Sequence, residues 1–187
     1  YGGLNVTSDL VHGLGVTQAD AERLKEQYGA AYEPLVPHHE KIRLPSTGAQ
    51  GEREIPRSLL AHIIHQRTQE IFEMVLRDIE GAGLIKKLSA GVVVTGGASQ
   101  QPGTADLANE VFGLGSRIGV PGEFLGGLAD SVQNPRFATV TGLVQYGAHR
   151  VAIGTSPGRG KRMNVATGGP SMDRIAAKLK TWLQDFW

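Results

Sequence analysis

The segment from Gly91 to Gly103 has the residue types and spacing best suited to chemistry on a bound ligand. A β-branched run, Val92 to Val94, stops at the pair Gly96 and Gly97, with Ala98 behind them. Glycine lets a backbone leave a buried strand sharply and puts no side chain between the turn and a flat ligand. After Gly103, the segment Thr104 to Phe112 sets Leu107, Ala108, Val111 and Phe112 on one helical face, with Gly113 as its stop. Strand, glycine turn and helix form one unit. Such a corner serves either a nucleotide or close packing in an α/β fold, and the pattern alone does not choose between them.

A second pair with chemical capacity is Glu22 and Lys25. They stand three apart on a predicted helix that Thr17-Gln18-Ala19-Asp20 opens like a capping box and Gly29 closes. Spacing of that kind puts an acceptor and a donor on the same face. The competing reading is an ordinary surface ion pair, worth about 0.3–0.5 kcal/mol. The histidine pairs His62 and His65, and His38 and His39, lack further converging ligands or an acidic cluster, so no metal site is expected. Ser99 sits in no nucleophile elbow, and a covalent serine mechanism is not expected.

Other elements must position these groups. Leu4 to Leu14 reads as a glycine-led turn into a short helix, and His38 to Leu44 and Glu52 to Ile55 as strands flanking the polar turn Pro45 to Gly51. Arg57 to Glu80 is the longest helical pattern, with Leu59, Leu60, Ile63, Ile64, Ile71, Val75 and Ile79 near helical spacing; a buried, domain-joining helix is expected. A further helix is expected over Arg136 to Ala148. Residues 151–170, rich in glycine and basic side chains, read as a flexible linker.

The tail is more sharply patterned. Met172, Ile175, Ala176, Leu179, Trp182, Leu183 and Phe186 repeat at helical spacing behind a capping Ser171, and Trp187 ends the chain. This amphipathic helix is expected to lie on a membrane surface, the alternative being a helix docked back on the core.

Composition bounds these readings. With 187 residues, 40% hydrophobic and 20% charged, the chain has the makeup of a soluble globular protein. A formal net charge of +1 gives no long-range attraction to nucleic acid, and the absence of cysteine excludes disulfides and thiolate chemistry. No apolar run approaches the roughly 20 residues that span a bilayer. Because it opens on Tyr1 rather than methionine, the chain is expected to be a piece of something longer.

Four stretches, Gly2 to Asp9, Ala21 to Gly29, Val92 to Gly103 and Asn134 to Leu143, occur in an order that resembles the second half of the FtsA family of actin-like bacterial cell-division proteins. The resemblance extends over essentially the whole chain. It implies an α/β fold, the second half of an actin-like (actin and heat-shock chaperone ATPase) fold. Residues 1–63 would be subdomain IIB-like and 64–150 subdomain IIA-like, followed by the linker over 151–170 and a membrane-targeting helix over 171–187. Two departures are visible: Gln101 stands where an apolar residue is usual, and Gly115-Ser116 interrupts a turn that often contains proline.

By the same resemblance, ATP would place its adenosine against Gly96, Gly97 and Ala98, beside Gly2 and Gly3 and under Glu22 and Lys25. The phosphate loops and the acidic residues for Mg²⁺ match family positions before Tyr1, so Mg²⁺ is expected only in a full-length protein and no catalysis is assigned to this chain. The implied function is an adaptor, not an enzyme. It would bind the C-terminal peptide of FtsZ beside Arg67, self-associate into filaments, meet other division proteins, and attach to lipid through Met172, Ile175, Leu179, Trp182, Leu183, Phe186 and Trp187. Its place would be the cytoplasmic face of the bacterial membrane at the septum. An actin-fold ATPase, phosphotransferase or chaperone-type ATPase is the alternative.

Overall fold

The structure, a computed structural model, describes residues 1–45, 51–122 and 129–152. Its contacts divide the chain into a unit over Tyr1–Gly147 and another over Ala148–Trp187. The elements that position the site lie in the first.

Three helices build the first half of that unit. Helix α1 (Gly3–Leu14) begins where the Gly2 amide donates to Asn5 Oδ1 at 3.0 Å, and it ends at Gly15 in the left-handed region, φ 62°. Its buried side chains, Val6, Thr7, Leu10 and Leu14, follow a helical repeat. Helix α2 (Gln18–Tyr28) is capped by Thr17, whose hydroxyl oxygen accepts from the Asp20 amide at 3.2 Å. Between α2 and helix α3 (Arg57–Gly81) lies the hairpin of β1 (Lys41–Leu44) and β2 (Arg53–Pro56), antiparallel with Ile42 opposite Ile55. The first strand is shorter than expected, because His38 to Glu40 form a turn closed by the Glu40 amide donating to the Pro37 carbonyl, and the second is shifted by one residue, from Glu52–Ile55 to Arg53–Pro56.

Helix α3 ties two buried clusters together. Leu60 and Ile64 pack with Val6, Leu10, Leu14, Leu24, Ile42 and Leu44, while Phe72 packs with Leu107, Ala108 and Phe112. Each large side chain fully buried here contributes about 1.5–3 kcal/mol. The helix is buried along one stripe only, because Leu59 and Val75 are 43% and 44% exposed. Position 63, the expected subdomain boundary, falls inside this unbroken helix.

The second half of the unit carries the predicted strand, turn and helix. Strand β3 (Val92–Val94) pairs in parallel with β4 (Ser116–Ile118), and helix α4 (Thr104–Phe112) packs on them. Gly91 and Gly115 cross so closely that a Cβ at Gly91 would stand 2.1 Å from the Gly115 carbonyl oxygen, so only glycine fits. The Gly115-Ser116 departure therefore marks the start of β4. After a 3₁₀ turn over Pro135–Phe137, helix α5 (Ala138–Ala152) begins two residues later than expected and runs through Val151 and Ala152, the first two residues of the expected linker. Residues 153–170 of that linker, and the tail over 171–187, lie outside the described residues.

Candidate functional site

Lys25 organises the first wall of the site. It is only 7% exposed, and its ammonium donates to Glu22 Oε2 at 2.7 Å, Thr7 Oγ1 at 2.8 Å and the Gly3 carbonyl at 3.2 Å. An ammonium has three protons, so its capacity is met by the protein itself. Lys25 thereby holds the start of α1 against α2. The pair with Glu22 is thus half buried, unlike the ordinary surface ion pair.

Glu22 behaves differently. One carboxylate oxygen takes the bonds from Lys25 and Thr7, while its partner Oε1 accepts no hydrogen bond from the described residues, and the side chain is 40% exposed. Burial raises the carboxyl's affinity for a proton, but the hydrogen bonds from Lys25 and Thr7 and the Lys25 charge outweigh it. Glu22 is held below its ordinary value of 4.5 and stays ionised at neutral pH, with one oxygen available to a hydroxyl donor.

The glycine turn forms the opposing wall. Gly96 adopts φ 97°, a conformation that side chains resist, and its amide donates to the Pro135 carbonyl at 3.2 Å. Residues Gly97–Gln100 then make a 3₁₀ turn, and Ser99 is committed to it: its buried hydroxyl donates to the Gly96 carbonyl at 2.8 Å. A Cβ at Gly97 would meet only Arg136 Cβ, at 3.7 Å, which is ordinary contact.

Between the walls lies a cleft of about 570 Å³, to which Gly3, Glu22, Lys25, Gly97, Ala98 and Arg136 contribute. That volume lies within the roughly 300–1,000 Å³ of small-molecule sites. A polar oxygen on one side and a side-chain-free turn on the other suit a flat ligand bearing hydroxyl groups, such as a nucleoside. Gly2 instead lines an adjoining, smaller cavity of about 210 Å³ among Val6, Ile64, Phe72 and Val94. Gly96 shapes the turn without lining the cleft.

Sequence reasoning missed Glu26, Gln100, Gln101 and Arg136 as cleft residues. The Asn134 carboxamide ties two of them together, donating to Gln100 Oε1 at 2.9 Å and accepting the Arg136 amide at 3.0 Å. An Asn-Pro pair that caps a turn was the available signal. Gln101, the departure from the family pattern, donates from Nε2 to the Lys25 carbonyl at 3.0 Å and so fastens the turn to α2. That contact also explains Gly29, which is not in the left-handed region. A Cβ there would come within 2.5 Å of Gln101 Oε1 and 2.3 Å of the Lys25 carbonyl oxygen.

Away from the cleft, Arg67 of α3 is clasped by Asp9 of α1, with Nη2 donating to Oδ1 at 3.0 Å, and it also pairs with Glu70. His62 pairs with Glu33 at 2.7 Å and His65 Nδ1 lies 3.1 Å from the Ala31 carbonyl, so both brace the same loop against α3. No helix among the described residues is long and apolar enough to cross a membrane. The lipid-facing positions expected in the tail, Met172 to Trp187, lie outside the described residues.

Comparison with known proteins agrees with this architecture. The chain superposes on MreB5 of Spiroplasma citri bound to ADP with a TM-score of 0.56 at 16% identity, over 82% of this chain and 46% of that one. The same protein bound to AMPPNP gives 0.55, over 80% and 45%. These likenesses show the fold, which is actin-like. In sequence, the chain is 34% identical to cell division protein FtsA of Pseudomonas aeruginosa, over 97% of its own length and 43% of the relative's. It is 35% identical to that of Neisseria meningitidis, over 98% and 44%. For Escherichia coli K12 the figures are 33%, 98% and 44%. The chain thus spans less than half the length of these curated relatives. The family model described as cell division protein FtsA matches residues 1–142, and the chain belongs to the FtsA family of actin-like cell-division proteins.

Proposed function

We propose that this chain forms the adenosine side of an ATP site in a cell-division adaptor that links FtsZ to the membrane. The observation that carries the nucleotide reading is the cleft in which Glu22 Oε1 stands open opposite the turn at Gly97 and Ala98. Further support comes from neighbours of the same fold that hold ADP and AMPPNP. In this reading Glu22 accepts from a ribose hydroxyl, Gly97 and Ala98 let the nucleoside approach the backbone, and Lys25 positions Glu22. Phosphate and Mg²⁺ would be held elsewhere in a full-length protein, and no residue here is assigned a catalytic step. Glu22→Gln keeps the shape and removes the charge. ATP titration by calorimetry should show binding about tenfold weaker than wild type, the worth of one charge-assisted hydrogen bond. Equal affinities would remove Glu22 from the site.

The adaptor part of the proposal places the FtsZ C-terminal peptide beside Arg67 and puts the tail on the cytoplasmic face of the membrane at the septum. Arg67 is already paired with Asp9 and Glu70, so an acidic peptide would share or displace those carboxylates rather than meet a bare cation. In the tail, burial of Leu179, Trp182, Leu183 and Phe186 would exceed the electrostatic contribution. One co-sedimentation assay with anionic liposomes and a labelled FtsZ peptide separates the two contacts. Trp182→Glu should leave the protein in the supernatant, whereas Arg67→Glu should leave it on the liposomes without the peptide. Retention of both ligands by both variants would contradict the adaptor reading.

A further inference from the structure

Resting on the nucleotide reading above, we infer that Arg136 is a base-binding residue of the cleft, stacking its guanidinium on the purine base and leaving the phosphates to other groups. Three observations lead there. Arg136 lines the cleft beside Gly97, its Cβ only 3.7 Å from where a Cβ at Gly97 would stand, so both belong to the wall that faces Glu22. Its guanidinium carbon lies over the Phe137 ring, 4.7 Å from the centroid, so the cation already has one aromatic neighbour. Among the described residues no carboxylate lies within ion-pair distance of that guanidinium, unlike Arg67 or Arg57.

A planar cation held over one ring and with no carboxylate partner among the described residues is prepared to take a second π system. Charge balance favours a base over a phosphate. Glu22 and Glu26 carry two negative charges in the cleft, Lys25 and Arg136 carry two positive ones, and the Lys25 charge is consumed by its own partners. A cleft with no net positive charge gives a triphosphate no electrostatic preference, but it suits the neutral nucleoside portion of one. The backbone supports the assignment, because Asn134 accepts the Arg136 amide while holding Gln100 of the same turn as Gly97, which fixes Arg136 relative to Gly97.

Titration of the 187-residue chain and of Arg136→Ala and Arg136→Lys with adenosine and with ADP tests this, with Glu22→Gln as the reference for the cleft itself. Arg136→Ala should bind adenosine and ADP more weakly by the same factor, about three- to tenfold, as expected for loss of a partly desolvated cation–π contact. Arg136→Lys should recover little, since it keeps the charge and loses the plane. Far-ultraviolet circular dichroism confirms that each variant is folded. If Glu22→Gln weakens adenosine binding and Arg136→Ala does not, the stacking role is wrong and the cleft stands. A loss confined to ADP, or full rescue by lysine, would make Arg136 a phosphate partner and overturn the inference. If wild type fails to bind adenosine, the nucleotide reading falls and takes this inference with it.

Discussion

Gly97→Val should abolish most nucleotide affinity while leaving the fold intact. A Cβ at this position meets only Arg136 Cβ at 3.7 Å, and the backbone is outside the left-handed region, so the protein itself tolerates the side chain. The added volume occupies the wall against which a nucleoside would lie. We expect a loss of at least about tenfold in affinity for ATP, or 1.4 kcal/mol, with the unfolding midpoint almost unchanged. Its neighbour supplies the contrast. Gly96 sits at φ 97°, where valine costs roughly 1–2 kcal/mol of backbone strain, so Gly96→Val should lower stability first and affinity only as a consequence. Calorimetric titration of Gly97→Val alongside its thermal unfolding checks both parts. Undiminished affinity in a folded Gly97→Val would take the glycine turn out of the site.

Lys25→Met should destabilise the protein by about 2–3 kcal/mol, because it removes three charge-assisted hydrogen bonds from a buried position while preserving packing. Part of the loss is offset because Glu22, at 40% side-chain exposure, is partly rehydrated. The effect carries a pH signature. Glu22 is depressed below 4.5 in the folded state, burial being outweighed by Lys25 and Thr7, so its contribution to stability is complete above that value. It is lost as pH falls through the lower folded-state value. Removing Lys25 removes the main depressing influence, and urea unfolding of Lys25→Met should therefore show a flatter dependence on pH on the acid side than wild type. Equal stability of the two proteins at neutral pH would mean that the ammonium does not hold α1 to α2.

The parts of this site that could be read from sequence are those encoded within one element. Helical spacing sufficed to put Glu22 and Lys25 on one face of α2, and the β-branched run followed by paired glycines gave β3 and its turn. Contacts between distant segments left no such trace. Arg136 reaches the cleft because Asn134 and Pro135 fold a 3₁₀ turn against Gly96, and no periodicity links residues so far apart. Gly29 does stop α2, its amide donating to the Lys25 carbonyl at 3.0 Å, but its backbone is extended, and what requires glycine there is the room its missing side chain leaves for Gln101 and Ile64. Lys25 looked like a donor to ligand, but burial against Thr7 and Gly3 commits its protons to the protein. Helical spacing also predicts a helix without predicting its cover: Val140, Leu143 and Val144 of α5 are 52–67% exposed.

Amide chemical-shift mapping of the isotopically labelled chain titrated with ATP reads out whether both walls of the cleft hold the nucleotide. The amides of Gly3, Glu22, Gly97, Ala98 and Arg136, from both walls of one cleft, are expected to shift together along a single saturation curve. Shifts confined to the apolar cavity around Ile64 and Phe72 or to the Asp9–Arg67 surface, or the absence of shifts at saturating ATP, would contradict the nucleotide reading.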